Sequence, residues 1–353
     1  MPGKTRFAVP ALALALCCAA SAGPAAPAQM ERDDAAEPLA GSEPLRVSVD
    51  AGGTALPGFL VDATLQAPVV DANAVVVDTA PEGSADSTRA VTIEDFTPPG
   101  VAAHPVTCAV LDLAPLATRW GAPVSGLVPA HQPGYVAVLD FPAGAARWRP
   151  LESAGARAED GFRLFVDPRG APRVDIEVGN GHRCRVRIDT IRAEVCALSA
   201  ELLEARGLLT GDTPRLVTEF AGHPPRMEIR LPRLAWGRLR VRQPVCTVID
   251  TEPGRIGLGL LAHARLDLSY ELGRVRVAPE PGKSMFVDPP VCGYGLSLAG
   301  RAEDGWPVGV VRGGPAWRAG IRPGDVLFAL DNQPLPENAF DAAALLYAEP
   351  GTA

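Results

Sequence analysis

Two aspartates in this chain of 353 residues each follow an apolar, strand-like run. Asp62 comes after Gly58-Phe59-Leu60-Val61, and Asp189 comes after residues 184–188. Two carboxylates a few ångströms apart cannot both ionise easily, so they share a proton. One then activates water as a general base while the other donates to a carbonyl. The two strand ends therefore predict hydrolytic chemistry if the fold brings them face to face.

The sequence around the aspartates is repeated. Gly126 follows Asp62 by 64 residues and Gly257 follows Asp189 by 68 residues, each within a short apolar run. Further matching segments are residues 105–112 with 244–250, and 135–141 with 264–270. This repetition predicts a duplicated β lobe, at residues 45–150 and 160–280, with the copies packed as pseudo-twofold partners. Asp78 is an alternative to Asp62, but its separation from Gly126 is only 48 residues.

The residues of the two strand ends resemble a known family. Phe59-Leu60-Val61-Asp62-Ala63-Thr64 and Arg187-Ile188-Asp189-Thr190-Ile191 are similar to the Asp-Thr-Gly turns of bacterial aspartic peptidases with the retropepsin-like fold. The resemblance implies a catalytic pair, Asp62 and Asp189, with Thr190 as the orienting hydroxyl, and polypeptide substrates. It also implies a helix after the second turn. Ser199 can cap such a helix through Arg206, and Gly207 can end it.

Both turns depart from the family pattern, because Thr64 and Ile191 stand in the glycine positions and Ala63 replaces the supporting hydroxyl. Glycine lets its N–H approach the carboxylate and lets the two turns meet, so we expect Ile191 to push the lobes apart. A misplacement near 1 Å costs on the order of a hundredfold in rate. We therefore predict a protein that binds extended polypeptides with impaired hydrolysis. The alternative is an active aspartic endopeptidase with a recognition module.

Two segments carry turn residues between strand-like runs, residues 81–86 and 219–224. They are candidates for hairpins that close over a bound peptide, and ordinary surface hairpins are the alternative.

The C-terminal segment resembles a bacterial PDZ domain over residues 311–327, and residues 329–333 continue the match. Gly293-Tyr294-Gly295-Leu296 occupies the position of the carboxylate-binding loop, where backbone N–H groups point at the terminal carboxylate of a peptide. Residues 296–298 would offer a strand edge to that peptide, and residues 339–347 would form the helix of the groove. We expect a PDZ-like module over residues 291–353, without its usual last strand, that binds peptide C-termini. A scaffold or a damaged remnant is the alternative.

The N-terminus reads as an export signal. Lys4 and Arg6 precede an apolar stretch over residues 7–16, and small residues follow at 20–22. We expect a signal peptide over residues 1–28, a disordered linker over 29–44 and export to the periplasm or beyond. Lipid attachment at Cys17 or Cys18 is an alternative that Leu16 disfavours. The sequence contains no segment with the length and apolar character of a membrane span.

Amino-acid composition and net charge favour one fold class and exclude some kinds of partner. Glycine and proline are abundant, at 36 residues each, while aromatic residues make up only 5%. This balance favours short strands and many turns, and so a mainly β fold. The net charge of −8 comes without a basic block, which excludes a nucleic-acid partner. Neither the histidines nor the cysteines have metal-ligand spacing, so we predict no metal and no cofactor. We expect the five cysteines beyond the signal to be buried apolar residues. We also expect residues 281–290 to form a linker between the second lobe and the PDZ-like module.

Overall fold

The structure is a computed structural model. It describes residues 13–14, 28–29, 43–51, 53–73, 90–120, 122–154, 161–251, 253–282, 285–287, 295–298, 305–330 and 333–336. Strands dominate these residues, so the predicted mainly β fold class is confirmed. Several predicted features lie outside the described residues: Asp78, Cys292, Gly293, Tyr294, segment 81–86, the groove helix at 339–347 and most of the N-terminal signal and linker.

We call residues 43–154 the first lobe, residues 161–282 the second lobe and residues 295–336 the C-terminal module. Two short strands precede the first lobe and pair with each other, β1 (Ala13–Leu14) and β2 (Ala28–Gln29). The elements of the first lobe are β3 (Arg46–Ala51), β4 (Thr54–Asp62), β5 (Val69–Asp71), β6 (Ala90–Thr97), β7 (His104–Leu111), α1 (Ala114–Trp120), β8 (Gly126–Pro129), β9 (Tyr135–Asp140), β10 (Ala145–Pro150) and a short 3-10 helix at Leu151–Ala154.

The second lobe contains more strands and two short helices. Its elements are β11 (Phe162–Arg163), β12 (Phe165–Val166), β13 (Pro172–Val178), β14 (His182–Ile188), β15 (Cys196–Ser199), α2 (Ala200–Ala205), β16 (Arg215–Glu219), β17 (Arg226–Arg230), β18 (Arg233–Trp236), β19 (Leu239–Arg242), β20 (Val245–Ile249), β21 (Arg255–Ile256), α3 (Leu258–Leu261), β22 (Ala264–Ser269) and β23 (Arg274–Pro279). After β24 (Met285–Val287), the module contains β25 (Leu296–Leu298), β26 (Trp306–Val311), α4 (Pro315–Arg318), β27 (Val326–Leu327), β28 (Ala329–Leu330) and β29 (Gln333–Pro334).

The two lobes share one set of strand pairings. In the first lobe β4 runs parallel to β8, β5 runs parallel to β7, and β5 is antiparallel to β8. In the second lobe β14 pairs with β21, β15 with β20 and β15 with β21 in the same three senses. The repeat seen in the sequence is therefore a repeat of topology, and the six strands β3 to β8 close a barrel in the first lobe.

The lobes join through their last strands. β9 and β22 pair antiparallel, and they form the middle of a five-stranded sheet with the order β10-β9-β22-β23-β11. Alternate residues of these strands point into the protein, among them Leu139, Leu266 and Leu268, which are fully buried. One apolar core runs through both lobes, whereas the C-terminal module has a small core of its own around Trp306 and Val310.

Local signals in the sequence identify the helix that follows the second aspartate. The Ser199 hydroxyl accepts from the backbone N–H of Leu202 at 3.2 Å, which caps α2, and Gly207 ends the helix with φ 65°. A left-handed φ at this position favours glycine because a side chain would clash there. Cys108, Cys184, Cys196 and Cys246 are buried, as expected, and none of these four forms a disulfide. No helix among the described residues has the length and apolar character needed to cross a membrane.

Candidate active site and peptide-binding edge

The structure places both candidate aspartates at the ends of central strands. Asp62 is the last residue of β4 and Asp189 directly follows β14. The backbone carbonyl of Asp62 accepts from the N–H of Ala130 at 3.0 Å, and the N–H of Asp189 donates to the carbonyl of Ile256 at 3.0 Å. In the first lobe the backbone of Asp62 is therefore held next to β8, which contains the repeated Gly126. In the second lobe the backbone of Asp189 is held by β21, which directly precedes the repeated Gly257.

Thr190 connects the two turns directly. Its hydroxyl accepts from the backbone N–H of Ala63 at 2.9 Å and donates to the backbone carbonyl of Val61 at 2.7 Å. The side chain of Thr190 is fully buried, so both bonds are shielded from water. Because Val61 and Ala63 flank Asp62, one hydroxyl of the second lobe fixes the backbone on both sides of the first-lobe carboxylate. Ala63 has no hydroxyl to return this contact.

The structure corrects the expected effect of Thr64. The backbone N–H and the side-chain hydroxyl of Thr64 each donate to Oδ1 of Asp62 at 2.7 Å. The N–H approach that glycine provides in the family is therefore present, and the hydroxyl adds a second donor. Thr64 is not in the left-handed region, so its Cβ introduces no backbone strain.

Ile191 does not separate the lobes, contrary to the expectation from its bulk. Its side chain is partly buried and packs at the edge of the common core, while the neighbouring Thr190 reaches the other lobe. The N–H groups of Ile191 and Arg192 both donate to Oδ1 of Asp189, at 3.2 and 3.1 Å. Each carboxylate therefore receives two donors from its own turn.

The two carboxylates influence each other electrostatically. Asp62 is 2% exposed and Asp189 is 7% exposed. Burial, followed by the charge of Asp189, raises the pKa of Asp62 to about 6, although the two bonds from Thr64 and the charge of Arg187 act in the opposite direction. Asp62 therefore holds a proton at mildly acidic pH more readily than an ordinary aspartate, and the charge of Asp189 contributes to this.

Sequence reasoning missed Tyr270 as a residue of this site. Its hydroxyl donates to the backbone carbonyl of Ala63 at 3.0 Å, and its ring stacks on His131 with the ring centres 4.6 Å apart. Burial and the nearby Asp62 carboxylate raise the pKa of Tyr270, while burial lowers the pKa of His131. The available signal was that His131 follows the repeated glycine and that Tyr270 ends the predicted last strand.

The predicted peptide-binding edge is partly described. Gly295 has φ 74° and accepts from the N–H of Val311 through its carbonyl at 2.9 Å, directly before β25. β25 pairs with β26 through Leu296 opposite Val310 and Leu298 opposite Val308. It is the terminal strand of its sheet, so among the described residues its outer edge carries no other strand.

The hairpin predicted at residues 219–224 joins the C-terminal module. Strand β16 pairs with β26, with Thr218 opposite Val311 and Glu219 opposite Val310. The Arg312 guanidinium binds the Glu219 carboxylate, and a side chain at Gly309 would overlap the ring of Phe220. A role for this hairpin as a flap remains a prediction. Its first strand, β16, pairs with β26 of the C-terminal module.

Within the described part of the chain, no group of three or more histidine, cysteine or acidic side chains is arranged to hold a metal ion. The arrangement around Asp62 and Asp189 instead offers paired carboxylates and backbone donors, which suit acid–base chemistry.

Comparison with protein-family models gives a match at the C-terminal end of the chain. Residues 308–353 match the family model for the PDZ domain, which confirms that part of the predicted fold. A search of curated proteins found no match.

Three solved structures show a limited likeness to this chain. A retropepsin-like aspartic protease from Rickettsia conorii is 18% identical, with 29% of this chain and 77% of that chain covered and a TM-score of 0.25. Basic 7S globulin from soybean is 10% identical, with 69% and 93% covered and a TM-score of 0.40. Conglutin gamma from lupine seeds is 10% identical, with 70% and 94% covered and a TM-score of 0.41.

The bridge formed by Thr190 predicts a specific loss of stability. Thr190→Val keeps the shape of the side chain but leaves the buried N–H of Ala63 and the carbonyl of Val61 without a partner. We expect the free energy of unfolding to fall by about 2–4 kcal/mol. Urea denaturation measures the loss. Thr190→Ser keeps the hydroxyl and serves as the control, with an expected loss near 1 kcal/mol. Equal losses in the two variants would show that the hydroxyl is unimportant.

The raised pKa of Asp62 predicts a change in the pH dependence of stability. The folded state binds the proton more tightly than the unfolded state, whose pKa lies near 3.8, so the free energy of unfolding falls as the pH rises from about 4 through 6. We expect Asp62→Asn to remove up to about 3 kcal/mol of this fall. Urea denaturation of both proteins at pH 4 and pH 7 measures it, and an identical fall in the two proteins would contradict the assignment.

Proposed function

We propose that this protein is exported and binds extended polypeptides, with the C-terminal module taking the end of the bound chain. The single observation that carries this proposal is the position of β25 as the last strand of its sheet among the described residues, next to Gly295, in a segment adjoining the PDZ match. A peptide in extended conformation can add to a terminal strand through backbone hydrogen bonds, and the sequence predicts that its terminal carboxylate meets the backbone N–H groups of Gly293-Tyr294-Gly295. Export rests on the basic and apolar N-terminal pattern.

Gly295 has two features that suit this role. Its φ of 74° lies in the left-handed region, and a Cβ there would lie 3.3 Å from Cδ of Pro315 and 3.4 Å from Cβ of Val311. The first residue of the edge is therefore held close to the start of α4 by a backbone conformation that favours glycine. A branched side chain at this position would disturb the loop where we propose that the carboxylate binds.

Hydrolysis is a second candidate function, and a different observation favours it. Asp62 and Asp189 each accept two hydrogen bonds from their own turns, and the charge of Asp189 helps to raise the pKa of Asp62. At mildly acidic pH a protonated Asp62 could donate to a scissile carbonyl while Asp189 accepts a proton from the attacking water. Because Ala63 has no hydroxyl, only the second turn contributes such a hydrogen-bonding side chain to the opposite turn, through Thr190.

Peptide binding is tested with peptides that differ only at the terminus. We expect saturable binding of peptides with a free terminal carboxylate, measured by fluorescence polarisation, and at least tenfold weaker binding of the amidated forms. Gly295→Val should weaken the binding by a similar factor. Gly313→Val is the matched control, because Gly313 has φ 73° and open space around it, so it carries the same backbone strain outside the loop. Equal affinity for free and amidated peptides would overturn the proposal.

Hydrolysis is tested with a mixed peptide pool digested across pH 4 to 8. If the pair is active, cleavage is fastest below about pH 6, where Asp62 holds its proton. Asp62→Asn and Asp189→Asn should each lower the rate by at least about a hundredfold. The exposed Asp212→Asn is the control and should cleave like the wild type. Cleavage that survives either active-site change refutes the pair, while complete absence of cleavage in the wild type leaves binding as the function.

A further inference from the structure

The outer face of the five-stranded sheet that joins the lobes carries an unusual set of charges. Residues directly opposite each other on neighbouring strands share a face of the sheet, which identifies the members from the register. We call this surface the arginine face. Its charged members are Arg147, Arg149, Arg163, Arg265, Arg274, Arg276, Asp140 and Asp267.

The arginine face is positive, whereas the whole chain has a net charge of −8. Six arginines and two aspartates lie on this face, which leaves an excess of four positive charges within one sheet. An excess of one sign on a single face concentrates ions of the opposite sign near it. The contrast with the rest of the chain points to an anionic ligand on this side of the molecule.

A pocket of about 240 Å³ opens in this face. It is lined by Arg149 of β10, Arg265 and Asp267 of β22, and Arg276 and Ala278 of β23. Because a water molecule occupies about 30 Å³ in the liquid, the pocket has room for a compact group such as a phosphate. Three guanidinium groups and one carboxylate leave two positive charges in excess at the pocket, which matches the charge of a phosphate dianion.

The arginines of the pocket have guanidinium N–H groups available to donate hydrogen bonds to a ligand. Asp267 accepts from Nη2 of Arg149 at 3.4 Å and from Nε of Arg265 at 3.1 Å, which orients two of the three guanidinium groups. Nε of Arg149 is buried and has no hydrogen-bond partner among the residues that the structure describes. Arg276 forms no ion pair with a residue in the described ranges. A buried donor without an acceptor costs free energy, and an anionic oxygen in the pocket would remove that cost.

We propose that this pocket binds a phosphate group, either of a soluble phosphate ester or of a lipid headgroup. Arginine forks match the tetrahedral oxygens of phosphate and form charge-assisted hydrogen bonds with them. The surrounding Arg147, Arg163 and Arg274 strengthen the attraction at longer range. The site lies on the side of the sheet opposite to the buried core residues Leu266 and Leu268, and it is independent of peptide binding at β25.

The test uses the full chain and glycerol phosphate as the probe, with titration calorimetry at mildly alkaline pH and constant ionic strength. We expect saturable binding of glycerol phosphate and much weaker binding of acetate. Arg149→Gln and Arg276→Gln should each reduce the affinity by about tenfold or more. Arg183→Gln removes the same charge from an arginine that is 80% exposed on β14, and this control should bind like the wild type. Circular dichroism and thermal unfolding show whether the variants are folded.

A second arm separates the two sources of phosphate. Vesicles of phosphatidylcholine, with and without phosphatidic acid, whose headgroup is a phosphate monoester like the probe, are sedimented with wild-type and variant protein. Binding of glycerol phosphate together with Arg276-dependent binding to the anionic vesicles supports the site and assigns it to a lipid headgroup. Binding of glycerol phosphate alone supports the site and assigns it to a soluble ester. Absence of saturable binding, or equal losses in Arg276→Gln and Arg183→Gln, overturns the pocket, even if the vesicles bind.

Discussion

The hydroxyl of Thr190 is the contact on which the geometry of the candidate active site depends. The backbone N–H of Ala63 and the carbonyl of Val61 are buried, and buried backbone groups need partners. A hydroxyl can donate and accept at once, so a single side chain satisfies both groups across the boundary between the lobes. The backbone on either side of Asp62 is thereby set by the other lobe, and the position of one carboxylate becomes a property of the assembled pair of lobes.

The electrostatics of Asp62 follow from that position. The carboxylate is buried and near a second carboxylate, and both conditions favour the protonated form. Two hydrogen bonds from Thr64 favour the ionised form, yet the pKa is raised to about 6. Burial and the like charge therefore outweigh two short hydrogen bonds. The Asp62 charge acts in turn on Tyr270, because it contributes, after burial, to the raised pKa of that phenol.

The sequence predicts the features that depend on local pattern. The ends of β4 and β14, the cap of α2 at Ser199 and the turn at Gly207 all follow from residues that are close in the chain. The features that it misses depend on the exact geometry of a turn or on contacts over long separations. The donation from Thr64 depends on how its turn is oriented, and the contact of Tyr270 with Ala63 spans 207 residues. The position of Ile191 is also decided by packing from other strands, which no local motif encodes.

The joint between the second lobe and the C-terminal module restricts how the two candidate sites can serve one polypeptide. The strand order β14-β21-β15-β20-β17-β16-β26-β25 connects the strand before Asp189 to β25, beside Gly295, through continuous strand pairing. The ladder between β16 and β26 is short, with two opposed residue pairs, but the Arg312–Glu219 ion pair and the packing of Phe220 on Gly309 support it. A polypeptide whose end binds at β25 would therefore have that end fixed relative to the sheet whose strand β14 precedes Asp189. Because an extended chain spans at most about 3.3–3.6 Å per residue, only segments beyond a minimum distance from that end can reach the carboxylate pair.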